Sequence, residues 1–322
     1  MGALTLLITG ATGYVGRATV AEARAKGHAV IAVTRSADTV PGGWREDDGI
    51  DVLVSDLAEG LRLDAACSRA DVVLHLAASM SGDAAAHARD TLAATQRLLA
   101  AMPESGKLVH LSSIAVYDMT RAAPGDMITE ASPLLTEASA ADTYAKAKLA
   151  QEALVQAAAQ DSGLGVTILR AGAVFGPGRL WNAHMGLQKA GVLLRMAAQG
   201  EMPLAHVSTC AQALIAAAEH PATGPINVLD EDLPDRRRYL KALRRGPRLT
   251  VPLGWRWVLP VAGIAARLAG PKRVPGLLNP AVLRARFLPV SFDNSRMREV
   301  LGLRQAHGFE AQMHAAQEGR TA

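Results

Sequence analysis

The sequence predicts an α/β protein: a doubly wound parallel sheet followed by a smaller, mostly helical C-terminal lobe. Three observations carry this. Short apolar runs alternate with helical stretches through the first half of the 322-residue chain. The runs are nearly continuous rather than alternating polar and apolar, which means strands covered on both faces. The first run ends in a glycine-spaced turn that opens directly into a helix.

The elements follow in order. LTLLI (residues 4–8) is the first strand, and a helix over 14–26 is closed by Gly27, suited to a left-handed cap. HAVIAVT (28–34), DVLVSDL (51–57), DVVLHLAA (71–78), KLVHLSS (107–113) and GVTILRAG (165–172) are further strands. Helices fit at 62–69, 83–102 and 142–160, so strand and helix alternate as a parallel sheet requires. After Gly178 helical stretches dominate, at 184–199, 208–220 and 236–245, with one short strand, INVL (226–229). A Pro/Gly-containing region runs to about residue 280, and two helical pieces end the chain. The expected division is a sheet domain over 1–178, with part of the later chain returning to the sheet, and a substrate-binding lobe over 179–322.

Composition bounds the function classes. Apolar residues are 49% and charged residues 20%, as in a soluble globular protein. Aromatics are only 4% and alanine is abundant, which suits helices packed through small side chains. The net charge of +4 is uneven: residues 235–248 (DRRRYLKALRRGPR) carry seven positive groups and one negative, +6, leaving the remainder at −2. No aromatic interleaving or nucleic-acid motif accompanies this patch, so a solvated arginine-rich helix face is expected and no nucleic-acid partner. Cys67 and Cys210 lack metal-ligand spacing and are expected to be buried, reduced side chains with no metal, as in a cytoplasmic protein. The N-terminus lacks the pattern of a signal peptide. WRWVLPVAGIAARLAG is interrupted by arginine and proline, and its uncharged run is about half the roughly 20 residues of a membrane span. A buried or interface helix is expected there instead.

The turn LLITGATGYVG (6–16) places Gly10, Gly13 and Gly16 between a strand and a helix. Glycines there let the backbone approach a pyrophosphate, whose charge the helix N-terminus stabilises. The first βα unit is therefore of the Rossmann dinucleotide-binding type. The second strand ends in TRSAD, with Arg35 and no carboxylate before Asp38. A guanidinium suits a 2′-phosphate, which favours NADP(H) over NAD(H). Asp56 and Leu57 end the third strand, where the carboxylate could accept from an adenine amino group or cap the loop.

Tyr144 and Lys148 lie four apart in DTYAKAKLAQEALVQAAA (142–159), on one helix face, with Lys146 pointing off it. Ser113 ends the preceding strand at the edge where ligands bind. A nearby ammonium and an oxidised nicotinamide would both lower the phenol's pKa from near 10. Tyr144 could then give a proton to a carbonyl oxygen or take one from an alcohol. Ser113 would hydrogen-bond that oxygen, and Lys148 would hold the nicotinamide ribose.

These motifs resemble the extended short-chain dehydrogenase/reductase superfamily, whose members are NAD-dependent epimerase/dehydratase-like. TGATGYVG, DL at Asp56, HLAA at 75–78, LSSIAVY, YAKAK, LRAGAVFGPG, AHVSTCAQAL and SFDNSRMREVLG occur in the family's order across nearly the whole chain. The resemblance implies that Ser113, Tyr144 and Lys148 are the catalytic trio. It implies that Gly10, Gly13, Tyr14, Val15 and Gly16 line the pyrophosphate. Leu76, Ala77 and Ala78 would pass near the nicotinamide ribose, and residues Ala171 to Val174 near the nicotinamide. Thr91 stands where the family often has Asn, Ala171 where it has Pro, and Ser208 and Thr209 where it has two acids.

The short AAQGEMPLAHV and the late VPLGWRWVLP…FLPVSFDNSRMREVLG look more like 3β-hydroxysteroid-dehydrogenase-like and dihydroflavonol-reductase-like enzymes than like nucleotide-sugar epimerases. The implied function is a ketone or aldehyde reductase, or secondary-alcohol dehydrogenase, for a mostly apolar small molecule. Ser79, Phe175, Trp181 and His206 are the expected substrate contacts. The alternatives are a nucleotide-sugar epimerase or dehydratase with bound NAD, and a non-catalytic NADP-binding regulator. The resemblance also implies a homodimer packed through helices 83–102 and 142–160.

Overall fold

The computed structural model describes residues 2–60, 62–79, 84–137, 142–220, 224–260, 264 and 279–320. Its strands are β1 (Thr5–Thr9), β2 (Ala29–Thr34), β3 (Ile50–Val54), β4 (Val72–His75), β5 (Lys107–Ser113), β6 (Met127–Ile128), β7 (Gly165–Ala171), β8 (Ala173–Phe175), β9 (Leu187–Lys189), β10 (Val192–Arg195), β11 (Leu204–His206), β12 (Gly224–Val228), β13 (Leu249–Pro252) and β14 (Ser291–Phe292). The described helices are α1 (Tyr14–Ala25), α2 (Leu63–Ser68), α3 (Ala84–His87), α4 (Ala94–Ala101), α5 (Thr143–Ser162), α6 (Val207–Glu219), α7 (Arg236–Ala242), α8 (Pro280–Phe287), α9 (Ser295–Leu301) and α10 (Phe309–Gln317). A π-helical turn, Ala88–Ala93, joins α3 to α4.

The central sheet has seven strands in the order β12-β7-β5-β4-β1-β2-β3, and every pairing in it is parallel. It is the Rossmann-type sheet expected, and INVL lies in its edge strand β12. The unbroken apolar strands bury both faces. Leu6 and Ile8 of β1 face one core with Val20 of α1, Leu214 of α6 and Met297 of α9. Leu7, between them, faces the other core with Leu63 of α2, Leu98 of α4 and Val155 of α5. Alternate side chains of a strand point to opposite faces, which produces this division. α6 and β12 follow Gly178 in sequence yet pack into the sheet, so the later chain returns to it.

One predicted element is replaced. Residues 184–199 do not form a helix but a hairpin, with Val192 opposite Lys189. Its two-residue turn has Ala190 at φ 51° and Gly191 at φ 81°. A turn with φ positive at both central residues matches the twist of paired strands, and glycine makes its second position easy to adopt. β13 joins this hairpin to complete a three-stranded sheet.

The basic stretch also departs from a plain solvated face. Arg236 is fully buried and donates to the carbonyls of His184, Gln199 and Arg286 at 2.8, 3.1 and 2.6 Å. Arg238 pairs with Asp232 and Glu310, and Arg244 with Glu318. The patch ties the lobe together. WRWVLPVAGIAARLAG falls largely outside the described residues; of its start, Trp255 is buried and Trp257 is 80% exposed. No described helix is long and apolar enough to cross a membrane. Cys67 and Cys210 are buried free thiols.

Candidate active site

A cavity of about 820 Å³ opens over the C-terminal ends of the central strands. It straddles β1 and β4, where the strand order reverses, the place at which open parallel sheets bind ligands. Gly10, Gly13, Tyr14, Val15, Gly16, Arg35, Asp56, Leu57, Leu76, Ala77, Ala78, Ser79, Ser113, Tyr144, Lys148, Ala171 and Val174 all line it. The structure does not bring Phe175, Trp181 and His206 there, contrary to expectation. Phe175 of β8 is buried in a cluster with Met185, Leu204 and Tyr239, edge-on to the His206 ring at 5.1 Å. His206 is fully buried, and its Nδ1 meets the Ser208 hydroxyl at 2.7 Å at the start of α6. Trp181 is 39% exposed outside the cavity wall.

At one end the glycine turn is shaped by close approach. Gly10 has φ +67°, and a Cβ there would stand 3.0 Å from the Ala77 nitrogen. A Cβ on Gly16 would come within 2.1 Å of the Gly10 carbonyl oxygen, so only glycine lets α1 close on the turn. No side chain caps the N-terminus of α1 at Gly13, and Tyr14 to Gly16 face the cavity. Uncapped N–H groups and the helix dipole suit a phosphate. The Asp56 carboxylate accepts from the Ala58 N–H at 3.0 Å, so it caps its loop while bordering the cavity. Arg35 is 67% exposed at this end, 3.5 Å from Asp90. The residues present therefore fit a dinucleotide laid from the glycine turn toward β5.

At the other end, Asp142 caps α5 by accepting the Tyr144 N–H at 3.0 Å, which sets where the helix begins. The Tyr144 phenol lies within hydrogen-bonding reach of Ser113 at the end of β5. Burial raises the phenol's pKa, while Ser113 works to lower it. In the protein alone desolvation dominates; the expected lowering depends on the ammonium and an oxidised nicotinamide together. Lys148, one turn on, is buried, and desolvation pushes its ammonium down to about 7 against the attraction of Glu152. Lys146 is exposed.

A closed hydrogen-bond network holds Lys148. Its Nζ donates to the Leu111 carbonyl at 2.7 Å and to Gln151 Oε1 at 2.9 Å. Gln151 Nε2 donates to Thr95 Oγ1 at 2.8 Å and to the Ala77 carbonyl at 3.3 Å. Thr9 Oγ1 accepts the N–H groups of Leu76 and Ala77, leaving its own proton for His75 Nδ1 at 2.8 Å. His75 Nε2 lies 2.9 Å from Thr95 Oγ1 and 3.0 Å from Gln151 Nε2, so the ring joins the same network. Burial holds the His75 pKa near 3, so the ring is neutral. With two of its donors bonded in the interior, Lys148 keeps the third for the cavity it lines. Gln151→Leu should orphan the Ala77 carbonyl and one lysine donor. A loss of about 1–3 kcal/mol in urea unfolding is expected; an unchanged midpoint would contradict it.

Thr91, at the family's Asn position, accepts the Ser79 N–H at 3.0 Å, so a threonine braces the loop after β4. The sequence reading missed Gln151, although it lies three residues beyond Lys148 on the same helix. It also missed Met119, His184, Val282, Arg286 and Phe292, which line the far part of the cavity. They come from segments up to 173 positions apart, from Met119 to Phe292, and no local pattern links them.

Comparison with known proteins gives the family and the fold. Residues 6–228 match the model of the NAD dependent epimerase/dehydratase family. The chain is similar to a 3-diazoavenalumate denitrifying reductase of a Streptomyces species, 29% identical over 295 residues, covering 83% of this chain and 88% of that protein. Its fold is similar to that of gox2253, with TM-score 0.76, 20% identity and 99% of both chains covered. It is also similar to that of a Bacillus cereus UDP-glucuronic acid 4-epimerase in complex with UDP-glucuronic acid and NAD, with TM-score 0.72, 18% identity and 98% of both chains covered. At such identities the structural likeness speaks for the fold alone.

Proposed function

The chain belongs to the NAD-dependent epimerase/dehydratase family of extended short-chain dehydrogenases/reductases, and from that premise we propose that it is a nicotinamide-dinucleotide-dependent oxidoreductase. It interconverts a ketone or aldehyde with an alcohol on a small molecule of mostly apolar body. The observation that carries this reading is the convergence of Ser113, Tyr144 and Lys148 on one cavity whose opposite end is an uncapped helix N-terminus. The bound dinucleotide would supply or accept the hydride. Tyr144, half-buried in the cavity wall, is the proton donor to the substrate oxygen, and Ser113 hydrogen-bonds the same oxygen. Lys148 is held by Gln151 and Leu111 with one donor toward the ribose hydroxyls.

Reduction is favoured over sugar epimerisation by the apolar wall of Ile114, Met119, Val282 and Phe292. The similarity to a named reductase over most of both chains supports it too. The test is carbonyl-dependent NAD(P)H oxidation across ketones and aldehydes; no turnover with any of them would remove the reading. The second reading, an epimerase or dehydratase retaining NAD, is supported by the match to the epimerase/dehydratase family model. Tightly bound NAD in the purified protein, with a thermal shift on adding a UDP-sugar, would favour it.

For the cofactor we propose NADP(H) over NAD(H), on Arg35 and the missing carboxylate at the end of β2. A charge-assisted hydrogen bond contributes about 1.5–3 kcal/mol. Arg35→Ser should therefore weaken NADPH binding by roughly tenfold or more and leave NADH nearly unchanged. Equal losses for both, by fluorescence titration, would show that Arg35 does not read the 2′-phosphate.

A further inference from the structure

The positive charge of the chain is concentrated in one stretch. Residues 236–292 hold thirteen arginines and lysines and no aspartate or glutamate. The other 265 residues, with 21 positive and 30 negative groups, sum to −9. The fold itself engages several of the thirteen. Arg236 is buried, Arg238 and Arg244 are ion-paired, and Arg284 donates to two backbone carbonyls. Arg245, Arg248 and Arg256 are exposed and make no ion pair with any described residue.

These three arginines flank an exposed apolar face. β13 is an edge strand of its sheet, and its Leu249 and Val251 stand beside Val192 and Leu194 of β10. Register partners point to the same side of a sheet, so the four form one face. Leu249 is 56% exposed, Val251 is exposed, and Val192 and Leu194 are half-buried. Leu253 and Trp257 extend the face. The Trp257 indole folds back on Gly254, where an added Cβ would stand 3.2 Å from its Cδ1. Residues 255–260 are helical, and Trp255 pins that helix by burial with Met119, Leu283 and Phe287. Positions two apart on a helix lie on nearly opposite sides, so Trp257 is left outside. The Arg248 stem covers Gly191 in the hairpin turn, beside exposed Lys189.

We propose that this face is a peripheral docking surface for an anionic phospholipid bilayer. Leu249, Val251, Leu253 and Trp257 enter the boundary between headgroups and acyl chains, while the arginines beside them meet lipid phosphates. A second copy of the chain fits the face worse. Pairing the face with itself would bring two sets of unpaired arginines together. Arg248 and Pro252 also oppose the addition of another strand at the open edge of β13. This goes beyond the oxidoreductase reading and does not rest on it.

The test mixes the full chain with unilamellar vesicles of phosphatidylcholine, alone or with phosphatidylglycerol. Flotation and tryptophan emission read the bound fraction. Each basic residue near an anionic surface strengthens binding by about fivefold, so three arginines should favour the phosphatidylglycerol vesicles by about 100-fold. Added salt should weaken that preference, and emission should move to shorter wavelength as Trp257 leaves water. Trp257→Ala should lower the partition coefficient by about tenfold or more and remove most of the emission shift. Arg248→Gln together with Arg256→Gln should lower it by about 25-fold. Both variants should keep the wild-type thermal midpoint, because all three side chains are exposed. The proposal is overturned if the wild-type protein does not float with phosphatidylglycerol vesicles at low salt, or binds phosphatidylcholine equally well. It is overturned if Trp257→Ala binds like wild type, which would mean adsorption by charge alone. It is also overturned if light scattering shows a Trp257-dependent dimer that binds no vesicle, which would assign the face to a second copy. The comparison of the two vesicles needs no variant, so a poorly folding one leaves the proposal decidable.

Discussion

Tyr144→Phe is expected to lower turnover by about 10²–10⁴-fold, the usual contribution of a positioned acid–base group, with dinucleotide binding nearly unchanged. Phenylalanine keeps the ring in its half-buried place and removes only the hydroxyl that meets Ser113. Helix α5 should start as before, because its cap is made by the Asp142 side chain to the backbone N–H of residue 144. Burial raises the phenol's pKa, so in the free protein Tyr144 is protonated at neutral pH, the form needed to donate to a carbonyl. Steady-state NAD(P)H oxidation with the best carbonyl substrate, alongside NAD(P)H titration, separates the two effects. Full turnover in the variant would remove Tyr144 as the acid. Loss of cofactor binding along with turnover would place its effect on the fold of the site.

The largest expected loss of stability follows Arg170→Met. Arg170 of β7 and Glu152 of α5 are each 2% exposed and pair at 2.8 Å. Glu152 also accepts from the Ser112 hydroxyl of β5. Arg170 donates to the Tyr117 hydroxyl at 3.2 Å, and Tyr117 in turn donates to Asn227 of β12 at 2.6 Å. The network joins three strands and a helix where water cannot replace a missing partner. Removing the guanidinium leaves Glu152 buried and uncompensated, a loss of about 3–5 kcal/mol. Denaturant unfolding measures it. The double replacement Arg170→Met with Glu152→Leu should recover much of the loss, because the orphaned charge goes with it. A single variant within about 0.5 kcal/mol of wild type, the range of ordinary surface changes, would mean that Glu152 becomes protonated at little cost or finds another partner.

Much of the site was legible from local pattern. Gly10, Gly13 and Gly16 are recognisable because a tight turn between strand and helix constrains residue type over seven positions. Tyr144 and Lys148 are recognisable because helix periodicity puts positions four apart on one face. The apolar strands identify the sheet for the same reason: burial on both faces admits few polar side chains. Where the reading failed, the deciding contact was not local. Residues 184–199 have an acceptable helical composition, and what makes them a hairpin is partly β13, which pairs with β10 from about 60 residues on, Val192 to Leu249. Arg236 looked like one of several surface arginines; the carbonyls that bury it belong to residues 184, 199 and 286.

The sequence by itself determined the fold class, the family, the glycine turn that borders the cavity and the positions of Ser113, Tyr144 and Lys148, because each depends on residues close together in the chain. Only the tertiary structure decided that Gln151 and Thr95 hold Lys148, and that Phe175 and His206 lie outside the cavity wall. Burial and hydrogen-bond satisfaction are properties of surroundings, and the surroundings of these side chains are assembled from separate segments, as with Gln151 and Thr95, 56 positions apart.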